Sequence, residues 1–416
     1  MKKIILTLVF LLYVVTVGAS AEEMLTIDHC VKTALQKNPD IWVAAEKINS
    51  KKAKIGQAAS DGNPQLSAGM SYARSGGSGG NSDYGKYSTN IALEQSVYDW
   101  GRRNLAVSGA KIETAAAELD YQTKRDEIIA NVKESYYGLN KSIQENEIAR
   151  TRYDNYEKRL EWANAYYSAG TKAKIEVTKA RSDLASSKLT LVKTMSSISQ
   201  YKASLAEAMG MPMLSINNIA DELGYTDWSI ALTEALARAK QNRPEILAQE
   251  KRVESARMTL HLQKKGLSPS LTASVGYDVY GSAPADNGEW TGKLSASIPL
   301  SDGGLTAGKI QGAAADLAEA EAEMESLSNS VVLEIRKAFE ALTEAKEALA
   351  ASRSAESQAK ETLDLALGRY SAGVGDSLEV SDAVDSYAEA QTNTVQSMYD
   401  CKIARLDIEK AMGGLN

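Results

Sequence analysis

The sequence predicts an α+β membrane protein made of two copies of one unit, each ordered helix, strand, strand, long helix, helix. Three observations predict it. The first is an internal duplication at an offset of 203 to 205 residues: Asn63-Pro64-Gln-Leu-Ser-Ala returns as Ser268-Pro269-Ser-Leu-Thr-Ala, Val97-Tyr-Asp99 as Leu300-Ser-Asp302, Tyr167-Ser-Ala-Gly170 as Tyr370-Ser-Ala-Gly373, and Ala208-Met-Gly210 as Ala411-Met-Gly413. A period that long is no solenoid, so each copy is half of one symmetric body. The second is a proline-free stretch in each copy, 102–168 and 305–371, several times the length of an average helix. The third is a pair of segments per copy with apolar and small polar residues in alternation, the pattern of a β-barrel wall.

In chain order, Met1-Lys-Lys3, the apolar run Ile4–Val17 and Ala19-Ser-Ala21 form a secretory leader expected to end at residue 21. The first repeat then covers 22–213, a linker 214–227, and the second repeat 228–416. Each repeat opens with a helical stretch, about 25–62 and 229–266, interrupted at Pro39 and Pro244. Proline breaks a helix interior, so each stretch reads as a short helix, a turn and a second helix.

The long helices follow from periodicity. Ile129, Val132, Tyr136, Leu139 and Ile143 recur at spacings of 3 and 4, as do Val332, Ile335, Phe339 and Leu342. That is the seam of a coiled coil. At 1.5 Å per residue each such helix is roughly 100 Å long. The helices 172–209 and 375–413 complete the repeats, and two shorter helices stacked end to end match the length of one long helix.

The hairpins are placed at 64–98 and 269–300. Leu66, Ala68, Met70 and Tyr72 fall on one face against Ser67, Gly69 and Ser71; Leu271, Ala273, Val275, Tyr277 and Val279 oppose Thr272, Ser274, Gly276 and Asp278. The returning segments set Thr89, Ile91 and Leu93 against Asn90, Ala92 and Glu94, and Leu294, Ala296 and Ile298 against Ser295 and Ser297. Four strands cannot close a barrel, so closure requires several chains, which also removes the exposed edges.

Composition excludes other classes. The leader removes two lysines, leaving 45 basic against 54 acidic residues, which argues against nucleic acid as a partner. Cys30 and Cys401 are too few for a disulfide scaffold, and whether they pair is left open. With only His29 and His261, and no phosphate loop or nucleophile elbow, the sequence offers no catalytic, metal or cofactor site. Met209, Met211 and Met213 read as an apolar helix end.

The cleaved leader, the duplicated order of elements and the paired Tyr-Ser-Ala-Gly and Ala-Met-Gly motifs resemble the TolC-like outer-membrane efflux family over essentially all of 22–416. The resemblance implies a homotrimer in the Gram-negative outer membrane. In it each chain gives four strands to a 12-stranded barrel, and a long helical coiled-coil barrel reaches into the periplasm. It also implies a passive duct for efflux or type I secretion, working with a periplasmic adaptor and an inner-membrane transporter. The alternative is a soluble periplasmic coiled-coil scaffold, which leaves the alternating strands unused.

By the same resemblance Glu379 and Asp382 are the pore constriction, since they match the family's pore-facing acidic positions. Three residues apart on one helix, they share a face, and rings of carboxylates favour cations. The alternative for these two residues is an acidic first turn that complements the helix dipole. The two turns carry Tyr167, Gly170, Lys172 and Lys174, and Tyr370, Gly373 and Gly375; they are the adaptor-docking positions implied by the resemblance. One departure stands out: where some members place a gate arginine two residues after the turn glycine, this chain has Gly375, with Lys172 at the equivalent place of the first copy.

Overall fold

The computed structural model describes residues 24–75, 84–212, 219–281 and 287–415. The expected leader and most of the two polar strand-connecting loops (76–83 and 282–286) lie outside the described residues. The first repeat contains α1 (Ile27–Lys37), α2 (Pro39–Ser60), β1 (Gln65–Ser75), β2 (Tyr84–Tyr98), α3 (Arg102–Ser168) and α4 (Lys174–Ala208). The second contains α5 (Leu232–Asn242), α6 (Pro244–Lys264), β3 (Ser270–Gly281), β4 (Asn287–Ser297), α7 (Leu305–Ser371) and α8 (Ser377–Ala411).

Pro39 and Pro244 do not kink a helix; each sits at the start of one. There the missing N–H is no loss, because the first helical amides have no intrahelical partner. Asn38 caps α2 by accepting from Asp40 N (2.9 Å) while its Nδ2 donates to the carbonyl of Ala208 at the end of α4 (3.0 Å). The end of α4 thus abuts the start of α2. The Ala-Met-Gly motif makes this approach possible: Gly210 takes φ 68°, and a Cβ there would lie 2.5 Å from Asn38 Cα. Gly413, at φ 79°, meets Arg243 Cα at the same 2.5 Å. Two short helices therefore run end to end beside each 67-residue helix, α4–α2 along α3 and α8–α6 along α7.

The rods join into one wall, because α3 also packs against α6 above and α8 below. A belt surrounds its middle, where α1 lays Cys30 and Ala34 against Ile128, Val132 and Tyr136 of α3, and α5 lays Ala235 and Ala239 against Val331 and Ile335 of α7. The Tyr136 hydroxyl lies 3.0 Å from Leu25 O and 2.9 Å from Ala220 O, tying chain start and linker to the same helix. In the second copy the buried seam is Val331, Ile335, Ala338, Leu342, Ala345 and Leu349. This corrects the expected register, in which Val332 and Phe339 were seam positions; both are only half-buried. Alanine at 338 and 345 lets the neighbouring helix come close, a packing role that a search for large apolar residues passes over.

The strands form one antiparallel sheet in the order β1-β2-β3-β4. Its register places Leu66 opposite Leu93, Ala68 opposite Ile91, Tyr72 opposite Tyr87, Val275 opposite both Leu93 and Gly292, and Tyr277 opposite Trp290. One face is therefore mainly apolar, interrupted by Thr89, Gln95 and, at its far end, Arg74, and the other carries Ser67, Ser71, Asn90, Glu94, Asp278, Thr272 and Lys293. Among the described residues no helix is long and apolar enough to cross a membrane.

Each hairpin hands over to its long helix through the same turn. Asp99 accepts from Gly101 N (3.0 Å) and Arg103 N (2.7 Å); Asp302 accepts from Gly304 N (3.2 Å) and Thr306 N (2.7 Å). The turn needs two left-handed residues in a row. The second copy supplies Gly303 and Gly304, whereas the first places Trp100 at φ 54° ahead of Gly101. A side chain in this region costs about 1–2 kcal/mol that glycine does not incur.

The two cysteines are buried, belong to different packing clusters and are not bonded to each other. Burial, with Glu222 nearby, pushes the Cys30 thiol up to about 12, and burial raises that of Cys401. Since only the thiolate is reactive, iodoacetamide at pH 8 is expected to leave both unmodified in the folded protein and to label both in denaturant. Rapid labelling of the native state would contradict this packing.

Candidate functional site

At the end remote from the sheet, two helical turns meet: α3 to α4 at 169–173 and α7 to α8 at 372–376. Both Tyr-Ser-Ala-Gly motifs end their helix with a left-handed glycine, Gly170 at φ 73° and Gly373 at φ 78°. Each glycine N–H returns to the tyrosine carbonyl three residues back, Tyr167 O and Tyr370 O, both at 3.0 Å. This satisfies carbonyls that the helix end would otherwise leave open.

Although the motifs match, their tyrosines differ. Tyr167 is 47% exposed, while Tyr370 is 1% exposed and packs with Tyr156, Leu363, Val380 and Val384. The Tyr166 ring meets the Tyr370 ring edge-on at 5.7 Å, and its hydroxyl lies 2.9 Å from Tyr370 O. Burial, and then the Glu176 carboxylate, push the Tyr370 phenol up. Tyr370 is therefore an internal strut of the tip, so of the two tyrosines expected at the docking surface only Tyr167 presents its ring.

Gly375 is buried, and a Cβ on it would lie 2.7 Å from Tyr370 N. Any side chain there would force the turn apart. Lys172 reaches across, its Nζ 3.4 Å from Gly375 O. Lys174 is exposed at the first turn of α4. Asp376 caps α8 by accepting from Leu378 N (3.2 Å). Glu379 and Asp382 follow on the exposed face of α8; Glu379 lies 3.4 Å from Arg369. Both partners of that pair are solvent-accessible, so the contact contributes little to stability.

The strongest link across the tip is one that sequence reasoning missed. Arg159, on α3, is 0% exposed. Its guanidinium donates to Asp183 of α4 (2.5 Å), to Ser377 of α8 (2.6 Å) and to Ser381 of α8, whose hydroxyl also lies 3.1 Å from Asp183. Two turns further up, Asp385 of α8 accepts from the Tyr156 hydroxyl (2.5 Å) and Arg152 Nε (3.0 Å). These contacts hold α8 against α3, joining second repeat to first. Nothing in sequence marks Arg159, because one arginine in a charge-rich helix is usually solvated. The duplication offers no signal either: the position equivalent to Arg159 is Thr362, and that equivalent to Asp183 is Ser386.

Residues 30–211 and 235–414 each match the outer membrane efflux protein family. The chain belongs to that family. It is 24% identical over 403 residues to the outer membrane protein TolC of Escherichia coli K12, covering 91% of this chain and 80% of TolC. It is 23% identical over 410 residues to the pyoverdine export outer membrane protein OpmQ of Pseudomonas aeruginosa, covering 93% and 85%. The solved structure of the outer-membrane channel OprN superposes with a TM-score of 0.82 at 20% identity, over 93% of this chain and 90% of that one. This efflux protein is therefore an outer-membrane protein with a large helical periplasmic part.

With one partner of a buried ion pair removed, the other is left without compensation, typically at a cost of about 3 kcal/mol or more. Asp183→Ala, which leaves the fully buried Arg159 without its carboxylate, is expected to loosen the tip without unfolding the belt. Amides of 370–386 should then exchange about 100-fold faster, the factor that matches such a loss, while those of α1 and α5 keep their rates. Uniform acceleration throughout the chain would show that this ion pair supports the whole fold.

Proposed function

We propose that this protein is a passive trimeric duct, closed at the periplasmic tip. It conducts cargo to the exterior in concert with a periplasmic adaptor and an energised inner-membrane transporter. The observation that carries the reading is the four-stranded sheet with one mainly apolar face, continuous with helices of 67 residues. The outer strands β1 and β4 each have only one partner, and an unpaired edge in a bilayer is too costly to persist. Three copies joined β4 to β1 close twelve strands without an edge. Leu189, Val192 and Met195, exposed on one face of α4, then meet the next chain; α4 forms one border of the wall below the belt, packing chiefly on α3.

In the trimer the exposed face of α8 turns to the axis, so Glu379 and Asp382 make two rings of three carboxylates about one helical turn apart. They form the constriction and select for cations. The Arg159 and Asp385 contacts hold α8 inward, with Lys172 and Gly375 linking the two turns. The adaptor docks on the outer side of the turns around Tyr167, Gly170, Lys172, Lys174 and Gly373. Opening then requires α8 to swing away from α3, and the adaptor supplies the binding energy. Cargo choice rests with the transporter, since a wide water-filled tube touches its contents weakly.

Single-channel recording from the purified protein in a planar bilayer tests this reading. The wild type is expected to give a small, cation-selective conductance, and Glu379→Ala/Asp382→Ala a larger one with selectivity lost. A monomer that neither assembles nor inserts would sink the duct; an unchanged conductance in the double variant would move the constriction elsewhere.

A further inference from the structure

The strained turn between β2 and α3 carries an exposed aromatic pair and a cluster of basic side chains. Trp100 occupies a left-handed position that Gly303 fills in the second copy, with the same aspartate holding the turn in both. The geometry of the turn therefore does not call for an indole. The ring stacks edge-on with Tyr98 at 4.6 Å and remains 45% exposed, so it contributes little to a core.

The sheet register says where these rings point. A bulge between Ser96 and Tyr98 shifts the pairing so that Tyr98 stands opposite Leu271, on the apolar, lipid-facing side. Bulges commonly re-aim a side chain in this way. From the Tyr72–Tyr87 pair near the far end of the sheet, Tyr98 is about ten rungs away, or roughly 33 Å along the strand. A strand tilt of about 40° reduces this to roughly 25 Å, the height of the apolar band of an outer-membrane barrel. Tyr98 and Trp100 thus lie at its periplasmic border.

Positive charge gathers at the same level. Lys265, at the end of α6, donates from Nζ to Trp100 O (2.7 Å) and retains two further N–H donors. Lys264, next to Lys265 in the chain, and Arg102, two residues after Trp100, are exposed, and among the described residues no ion pair is found for either. The Arg103 guanidinium lies over Gly62, where a Cβ would be 1.5 Å from Nη1. Of the nearby carboxylates, Asp99 is engaged by two backbone amides and Asp61 is exposed.

We propose that this turn is a binding site for an anionic phospholipid headgroup of the inner leaflet. Arg102, Lys264 and Lys265 face the phosphodiester, and Tyr98 and Trp100 lie along the glycerol and upper acyl chain. Aromatic rings at the headgroup level and basic residues just outside the bilayer are the two elements such a site needs. The second copy has Ser301 and Gly303 in place of the two rings, so there is one site per chain. The proposal rests on the sheet lying in the outer membrane and is independent of a constriction at Glu379 and Asp382.

The test is native mass spectrometry of the purified full-length protein in detergent, titrated with phosphatidylglycerol or phosphatidylcholine. The wild type is expected to retain phosphatidylglycerol preferentially. Arg102→Gln/Lys264→Gln/Lys265→Gln should lose affinity by about fivefold per charge removed. Trp100→Gly should also lose affinity, yet its melting temperature in lipid-free detergent should stay level or rise, because glycine relieves the turn. Arg102→Gln alone, at an exposed position, keeps the measurement open should the triple variant fold poorly. Equal retention of the two lipids by the wild type would overturn the proposal, as would variants that bind phosphatidylglycerol undiminished. A Trp100→Gly protein that melts lower in lipid-free detergent would make the ring a packing residue and overturn its role.

Discussion

Two junctions at the belt govern the rest of this architecture, Gly210 against Asn38 and Gly413 against Arg243. A helix of 67 residues needs a partner along its whole length, because most helical stability in water comes from packing of a face. Among the described residues neither repeat has a second helix of that length. Instead two shorter helices meet end to end, and the meeting is close only because a left-handed glycine leaves no Cβ between the backbones. Asn38 then caps α2 with its oxygen and closes α4 with its amide. The belt helices α1 and α5 lead into these junctions and cover the same level of α3 and α7, so the wall is most extensively packed at its middle.

Away from the belt the wall depends on different forces at its two ends. The sheet is held by main-chain pairing, and its apolar face is exposed as water would never allow but lipid does. The tip combines the apolar packing around Tyr370 with a buried charge. A fully buried arginine is a poor source of net stability compared with apolar packing, but once in place it is expensive to orphan. Arg159 has its carboxylate on α4 and its hydroxyls on α8, so those two helices are registered to α3 by the same group. Such a link is directional and breaks all at once, unlike an apolar seam, which slides.

The places where the two repeats stop matching are the places with chemistry of their own. Tyr167 is exposed where Tyr370 is buried; Arg159 and Asp183 answer to Thr362 and Ser386; Trp100 stands where Gly303 does. The shared features (capping prolines, turn aspartates and left-handed glycines) all serve backbone geometry. Duplication supplied the scaffold, and the differences between the copies mark the tip and the membrane border.

Sequence by itself determined the parts of this protein that depend on local physics. Pro39 and Pro244 set helix starts, period-two alternation set which strand face is apolar, and the lack of proline across 102–168 and 305–371 set the helix lengths, because each of these acts within a few residues of itself. The duplicated motifs even located the turns that carry the tip. Only the tertiary structure decided the seam of α7, where alanines rather than large residues mark the contact, and the burial of Tyr370 against the exposure of its twin. It alone revealed the Arg159 cluster, whose members lie 24, 218 and 222 residues apart in the chain. A contact of that span leaves no periodicity to detect; it exists only once three helices have been brought side by side.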